Sequence, residues 1–252
     1  MSWCDKLAST PPAGFLLDWH FASSNTVLEA LAPNLDKLVD SNRQLFSVVR
    51  QDAFSVAFNT DDGFSYGIEP SRVSVAFFHS LRAKAVSGGP PILQMLSQPR
   101  PYTELLSDIT NRLTDVMLLV PGADVRKINR VGIVTTTIVD EDEVPPGIAR
   151  FIRYLGRPWP GPAESFSYQS LVHLARTDEW VDKCQHNLAK AEKPGEPLTI
   201  TFDWHRTFTS GKPINSESLT RVLRHAKEDA LNYFEELGEG DRFDVDIDGA
   251  AT

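Results

Sequence analysis

The sequence predicts an α+β fold of two similar units, each a set of mainly antiparallel strands backed by one amphipathic helix, and with it an internal duplication. The first observation is a helical stripe. Leu105, Leu106, Ile109, Leu113, Val116, Met117 and Val120 recur at three- and four-residue steps, which places them on one face of a helix over 103–120. The second is a similar stripe, Leu219, Val222, Leu223, Ala226, Ala230, Tyr233, Phe234 and Leu237, over 215–237. The third is that each helix closes a run of short β-branched and aromatic segments.

Residues 15–21 read as a strand with Phe15, Leu17, Trp19 and Phe21 on one face and Asp18 and His20 on the other. Ser23, Ser24 and Asn25 can cap a helix whose apolar residues run from Val27 to Val39, with Pro33 kinking it. Residues 45–50 and 53–59 are β-like, Asp61-Asp62-Gly63 supplies a turn, and 72–78 is a firmer strand. Ser87-Gly88-Gly89-Pro90-Pro91 reads as a loop, and not a phosphate loop, because no Gly-Lys-Ser/Thr follows its glycines. Pro121-Gly122 stops the first helix, and 125–139 is β-branched enough and long enough for a full sheet strand. Further strands are expected at 165–176 and 198–205, the latter burying Leu198, Ile200, Phe202 and Trp204, while 180–189 suits either strand or helix and is read as strand. Asn215 or Ser216 caps the closing helix and Gly238 ends it.

This places a first strand-rich unit at 1–139, closed by helix 103–120 and strand 125–139. An acidic, Pro-rich connection follows at 140–162, then a second unit at 163–238 closed by helix 215–237. The tail, 239–252, is acidic and expected to be disordered.

Composition narrows the function classes. A formal charge of -9 disfavours a surface built wholly for nucleic acid or anionic membrane, while leaving room for a local basic patch. The two cysteines, Cys4 and Cys184, make neither a disulfide framework nor metal-ligand spacing, which fits a reducing cytoplasm. The N-terminus lacks the basic-then-apolar order of a signal peptide, and no run approaches the roughly 18 apolar residues that span a bilayer. The expectation is a soluble cytoplasmic protein without membrane contact.

The helix over 103–120, then Lys127-Ile128-Asn129-Arg130-Val131, a strand such as Leu198-Thr199-Ile200-Thr201-Phe202-Asp203, and a closing helix ending Asn232-Tyr233-Phe234-Glu235-Glu236-Leu237 carry a resemblance. Over roughly residues 70–238 the chain resembles a sporadically distributed, uncharacterised bacterial protein family of about 250 residues. The resemblance implies scattered occurrence, of the kind seen for accessory or defence genes, and implies no activity and no catalytic residue.

Chemistry-bearing residues are few. Asp18 and His20 share one strand face, as do Asp203 and His205, so two such strands side by side offer four ligands to a metal. The competing reading is a solvated face behind inward-pointing Trp19 and Trp204. Asp244-Val245-Asp246-Ile247-Asp248-Gly249 matches the first half of a calcium loop, but its twelfth position falls past Thr252. Arg150, Arg153 and Arg157, interleaved with Phe151, Tyr154 and Trp159, resemble the basic-aromatic mixture that grips single-stranded nucleic acid. Phe151, Tyr154 and Leu155 also suit the apolar side of a short connecting helix. No nucleophile motif surrounds either cysteine. His79, His173 and His225 lie in or beside apolar runs and read as core or rim histidines, while His186 is unplaced.

The sequence therefore points to a non-enzymatic interaction module whose partner is another protein or itself as a homodimer, with no cofactor. The alternatives are a metal-dependent hydrolase or nuclease using the Asp-x-His strands, and a nucleic-acid-binding accessory factor.

Overall fold

The computed structural model describes residues 14–21, 46–51, 56–60, 62–69, 72–78, 81–84, 92–95, 100–119, 127–140, 143–156, 165–190, 197–213 and 215–239. For 14–21, 46–51, 81–84 and 92–95 it describes the backbone alone. The first half supplies β1 (Gly14–Phe21), β2 (Phe46–Gln51), β3 (Val56–Thr60), β4 (Phe64–Glu69), β5 (Arg72–Phe77), β6 (Leu81–Lys84), β7 (Ile92–Met95) and helix α1 (Tyr102–Leu119). The second supplies β8 (Lys127–Val139), α2 (Pro146–Gly156), β9 (Phe166–Arg176), β10 (Trp180–Lys190), β11 (Leu198–Pro213) and α3 (Ser216–Glu239).

Two antiparallel sets, β3-β4-β5 and β8-β11-β10-β9, are joined through β1 into one sheet of order β2-β3-β4-β5-β1-β8-β11-β10-β9. β6 and β7 form a separate hairpin pair. The architecture is α+β, and an internal duplication is not shown. No helix among the described residues is long and apolar enough to cross a membrane.

β8 lies inside the sheet because its sequence suits burial on both sides. Ile128, Val131 and Ile133 are fully buried, and Val134, Thr136 and Ile138 on the other face are half-buried. One face of the sheet carries α1 and α3 side by side. Tyr102 of α1 meets Phe234 of α3 edge-on with ring centroids 5.3 Å apart, and its hydroxyl is 3.1 Å from Thr135 Oγ1 of β8. Phe202, Tyr233 and Phe234 stack onward from there, and each is buried. Arg112 ties α1 to the β3–β4 turn: it donates to Tyr66 Oη at 3.0 Å, pairs with Asp62 and lies over the Phe64 ring. In that turn Gly63 has φ +94, and a Cβ there would come within 2.9 Å of the Phe78 carbonyl oxygen.

The closing helix starts where Asn215 Oδ1 accepts from Ser218 N at 2.8 Å, so Asn215 is the cap. It runs through Gly238 to Glu239, past the expected stop. The strand at 198–205 extends to Pro213 through an irregularity between Thr207 and Lys212, where Gly211 takes φ 58. The connection at 140–162 contains α2, whose Phe151 packs edge-on against Tyr168 of β9. Tyr154 and Leu155 of α2 are exposed rather than packed. β4, β6 and β7 were not expected from the sequence. The helix expected over 25–42, the loop 87–91 and the tail lie outside the described residues.

Candidate functional site

The four residues of the predicted metal set fall on one face of the sheet, opposite α1 and α3, though not on neighbouring strands. β8 lies between β1 and β11. Asp18 pairs with Gly132 and Gly132 with His205, while Asp203 pairs with Val134 and His20 with Arg130. Asp18, Gly132 and His205 thus form one row across three strands, with the outer two about 10 Å apart. The side-by-side pairing the sequence suggested is displaced because β8, apolar enough to be covered on both sides, takes the central place.

Gly132 is the low point of this row. A Cβ there would lie 3.0 Å from the Trp204 carbonyl oxygen and 3.2 Å from His205 Cβ, so the bare backbone lets β11 come close. His205 is 13% exposed at its side chain, and its Nδ1 lies 3.4 Å from Asp203 Oδ1. Arg130 Nη2 reaches the same oxygen at 3.5 Å, and Arg130 Nε is buried without a hydrogen-bond partner among the described atoms. Asp203 and His205 are spaced as two ligands of one metal would be. The Arg130 guanidinium competes for the carboxylate and opposes a cation beside it. Among the described residues no three His, Cys, Asp or Glu gather as a metal group.

Arg150 and Arg153 lie on α2, where Arg153 Nε donates to the Ala149 carbonyl at 3.3 Å, and Arg157 lies outside the described residues. His173 and His225 are exposed, so neither is a core histidine, and His79 lies outside the described residues, whereas the unplaced His186 is buried at 5%. The reason is alternation: Asp182, Cys184, His186 and Leu188 of β10 share the face that pairs with Arg206, Trp204, Phe202 and Ile200 of β11. Polar residues there sit inside. Arg206 Nε and Nη2 donate to both Asp182 oxygens at 2.6 Å beneath the Trp180 ring. Trp204 Nε1 donates to Asp229 Oδ2 at 2.7 Å, and burial pushes the Asp229 carboxyl above its ordinary range, against the lowering by that bond. Cys184 Sγ lies 3.8 Å from His186 Nδ1, and the His186 ring stacks on Tyr233 at 4.9 Å.

A groove of about 350 Å³ between α1 and α3 is lined by Thr110, Thr114, Arg224 and Lys227. Its threonine hydroxyls donate back to their own helix, Thr110 to Leu106 and Ser107 and Thr114 to Thr110.

The sheet's outer edge is the feature the sequence reading missed. β9 ends the sheet, and from Leu171 to Arg176 every residue is exposed, with Leu171 at 53%, Val172 at 42% and Leu174 at 43%. It carries no acid, no lysine and no proline, the devices that commonly blunt an edge. A bulge against β10 between Asp182 and Lys183 leaves Leu174 as the extra residue, so the regular edge is Phe166 to His173. The signal was present as a charge-poor strand next to the end of the meander, but which strand lies outermost is a matter of pairing.

Compared with protein-family models and with curated proteins, this chain finds no match in either.

Proposed function

We propose that the chain is a non-enzymatic protein-interaction module of a bacterial accessory or defence-type system, and that it engages its partner by strand addition at β9. The observation that carries this is the exposed edge with apolar side chains on both faces, a template for another strand's backbone. The bacterial and defence setting rests on the family resemblance alone. The order of elements supports an internal duplication: each half of the chain supplies antiparallel strands and one long helix, α1 or α3, to the same sheet. The test is a photo-crosslinking amino acid placed at Leu171 or Leu174 in the native host. One defined protein adduct, absent when the probe is moved to exposed Phe78, is expected; the same adducts from all three positions would defeat the reading.

A second reading, a metal-dependent hydrolase or nuclease, is favoured by the 3.4 Å approach of His205 Nδ1 to Asp203 Oδ1 on β11. It requires tight metal binding that Asp203→Ala and His205→Ala abolish, measured by titration calorimetry.

A further inference from the structure

We propose that the strand added at β9 is β9 of a second copy of this chain, paired antiparallel about a two-fold axis at Ser170, an inference that rests on the strand-addition reading above. From Phe166 to Val172 the edge carries no charged residue, so it offers a partner of opposite sign nothing to recognise. A second copy needs no such recognition. It meets this edge without like charges facing one another, although each chain has a net charge of -9.

The helix side of the edge has two unequal halves. There Tyr168, Ser170 and Val172 pair with Leu188, His186 and Cys184 of β10. α2 covers the first half: Phe151 meets the half-buried Tyr168 edge-on, with ring centroids 4.9 Å apart. The second half is bare, with Val172 42% exposed. An antiparallel copy reverses the order of the halves, so the covered half of each strand lies against the bare half of the other.

Symmetry narrows the register. A two-fold axis between antiparallel edge strands stands normal to the sheet, so both helix layers lie on one side and facing residues share a face. The axis therefore passes at a residue, and Gln169 and Ser170 lie nearest the middle of the regular edge, Phe166 to His173. Ser170 sets Val172 beside Tyr168 of the second copy, beneath that copy's Phe151, and does so twice. Gln169 would leave Tyr168 facing Ser170. On the open face the same register sets Leu171 against Gln169 and His173 against Ser167, so no two charges meet. The two Tyr168 rings then lie about 13 Å apart along the strands, which leaves both α2 helices room over the joined edge. Tyr154 and Leu155 of α2, exposed in the single chain, add apolar surface to that layer.

The experiment is sedimentation velocity of the full-length chain over a wide concentration range. A reversible dimer is expected, tightened by added salt because the edge is apolar and the two chains carry like net charge. Val172→Lys on one face and Leu171→Lys on the other should each return it to monomer with circular dichroism unchanged, and Phe78→Lys should leave the dimer intact. Ser170→Cys, made together with Cys4→Ser, should link two chains on oxidation, and Phe78→Cys in the same background should not. A chain that stays monomeric, or a dimer indifferent to both lysine changes, overturns the proposal. If in that case the Leu171 probe still captures a different protein, strand addition at β9 stands and only the second copy falls; no adduct at all removes both.

Discussion

Arg206 and Asp182 face each other across β10 and β11 with both carboxylate oxygens engaged at 2.6 Å, inside the sheet's helix-covered face. Two charges withdrawn from water this far are stable only together, because each satisfies the desolvation the other incurs. Asp182→Ala, which strands the guanidinium, should lower stability by about 3–5 kcal/mol in urea unfolding. Asp182→Leu combined with Arg206→Met should recover most of that loss. Equal destabilisation by the single and double changes would mean the pair is not the reason.

Asp229 gives a pH dependence with a defined sign. Its folded carboxyl titrates above its ordinary value of 3.8, first because of burial, with Asp182 and Glu228 adding to the rise and Trp204 and His225 opposing it. A group raised in the folded state favours folding below its unfolded pKa and loses that contribution as pH climbs through the folded value. Asp229→Asn keeps an acceptor for Trp204 Nε1 and removes the half-buried charge. Its melting temperature should therefore fall less than that of the native chain as pH rises from about 4 to neutrality. A steeper fall would reverse the assignment.

Phe234 packs against Tyr102, Phe202 and Tyr233 with no exposed surface. Phe234→Ala should cost about 3–5 kcal/mol, since a ring's transfer free energy and the cavity left behind add. A calorimetric loss below about 1 kcal/mol would show that the site collapses to fill the space.

Gly132→Ala tests the close approach of β8 and β11. The added methyl meets a backbone oxygen at 3.0 Å, which cannot rotate away. The expected loss is about 1–3 kcal/mol, with the strand pairing at Trp204 and His205 losing amide-exchange protection first. Unchanged protection there would show that the two strands have room to spread.

Removal of residues 241–252 should leave the melting temperature of dilute protein unchanged, because the buried stripe of α3 is complete at Leu237. Unfolding on deletion would place the tail in the fold itself.

The long elements were legible because their information is local. Leu105 to Met117 and Leu219 to Leu237 carry the helical period in plain view, and the apolar alternation from Leu198 to Trp204 marks a half-buried strand. His186, Asp182 and Arg206 were illegible for the opposite reason. A polar residue on a strand reads as solvent-facing until its neighbour across the ladder is known, and that neighbour, distant in sequence, is what makes burial tolerable. β4 escaped notice because it is short and holds one β-branched residue, Ile68, beside Gly67, a position where Ser74 Oγ of β5 would lie 2.7 Å from any Cβ.

By itself, the sequence determined that this is an α+β chain, where its two great amphipathic helices run, that β8 is a long strand, and which face of β11 is apolar. Those properties depend on residues a few positions apart. Only the tertiary structure decided that β8 separates β1 from β11, that Asp18 and His205 share a row across Gly132, and that β9 is left at the rim. Strand order and register are set by the joint burial of faces far apart in the chain, where a shift of one residue exchanges inside for outside.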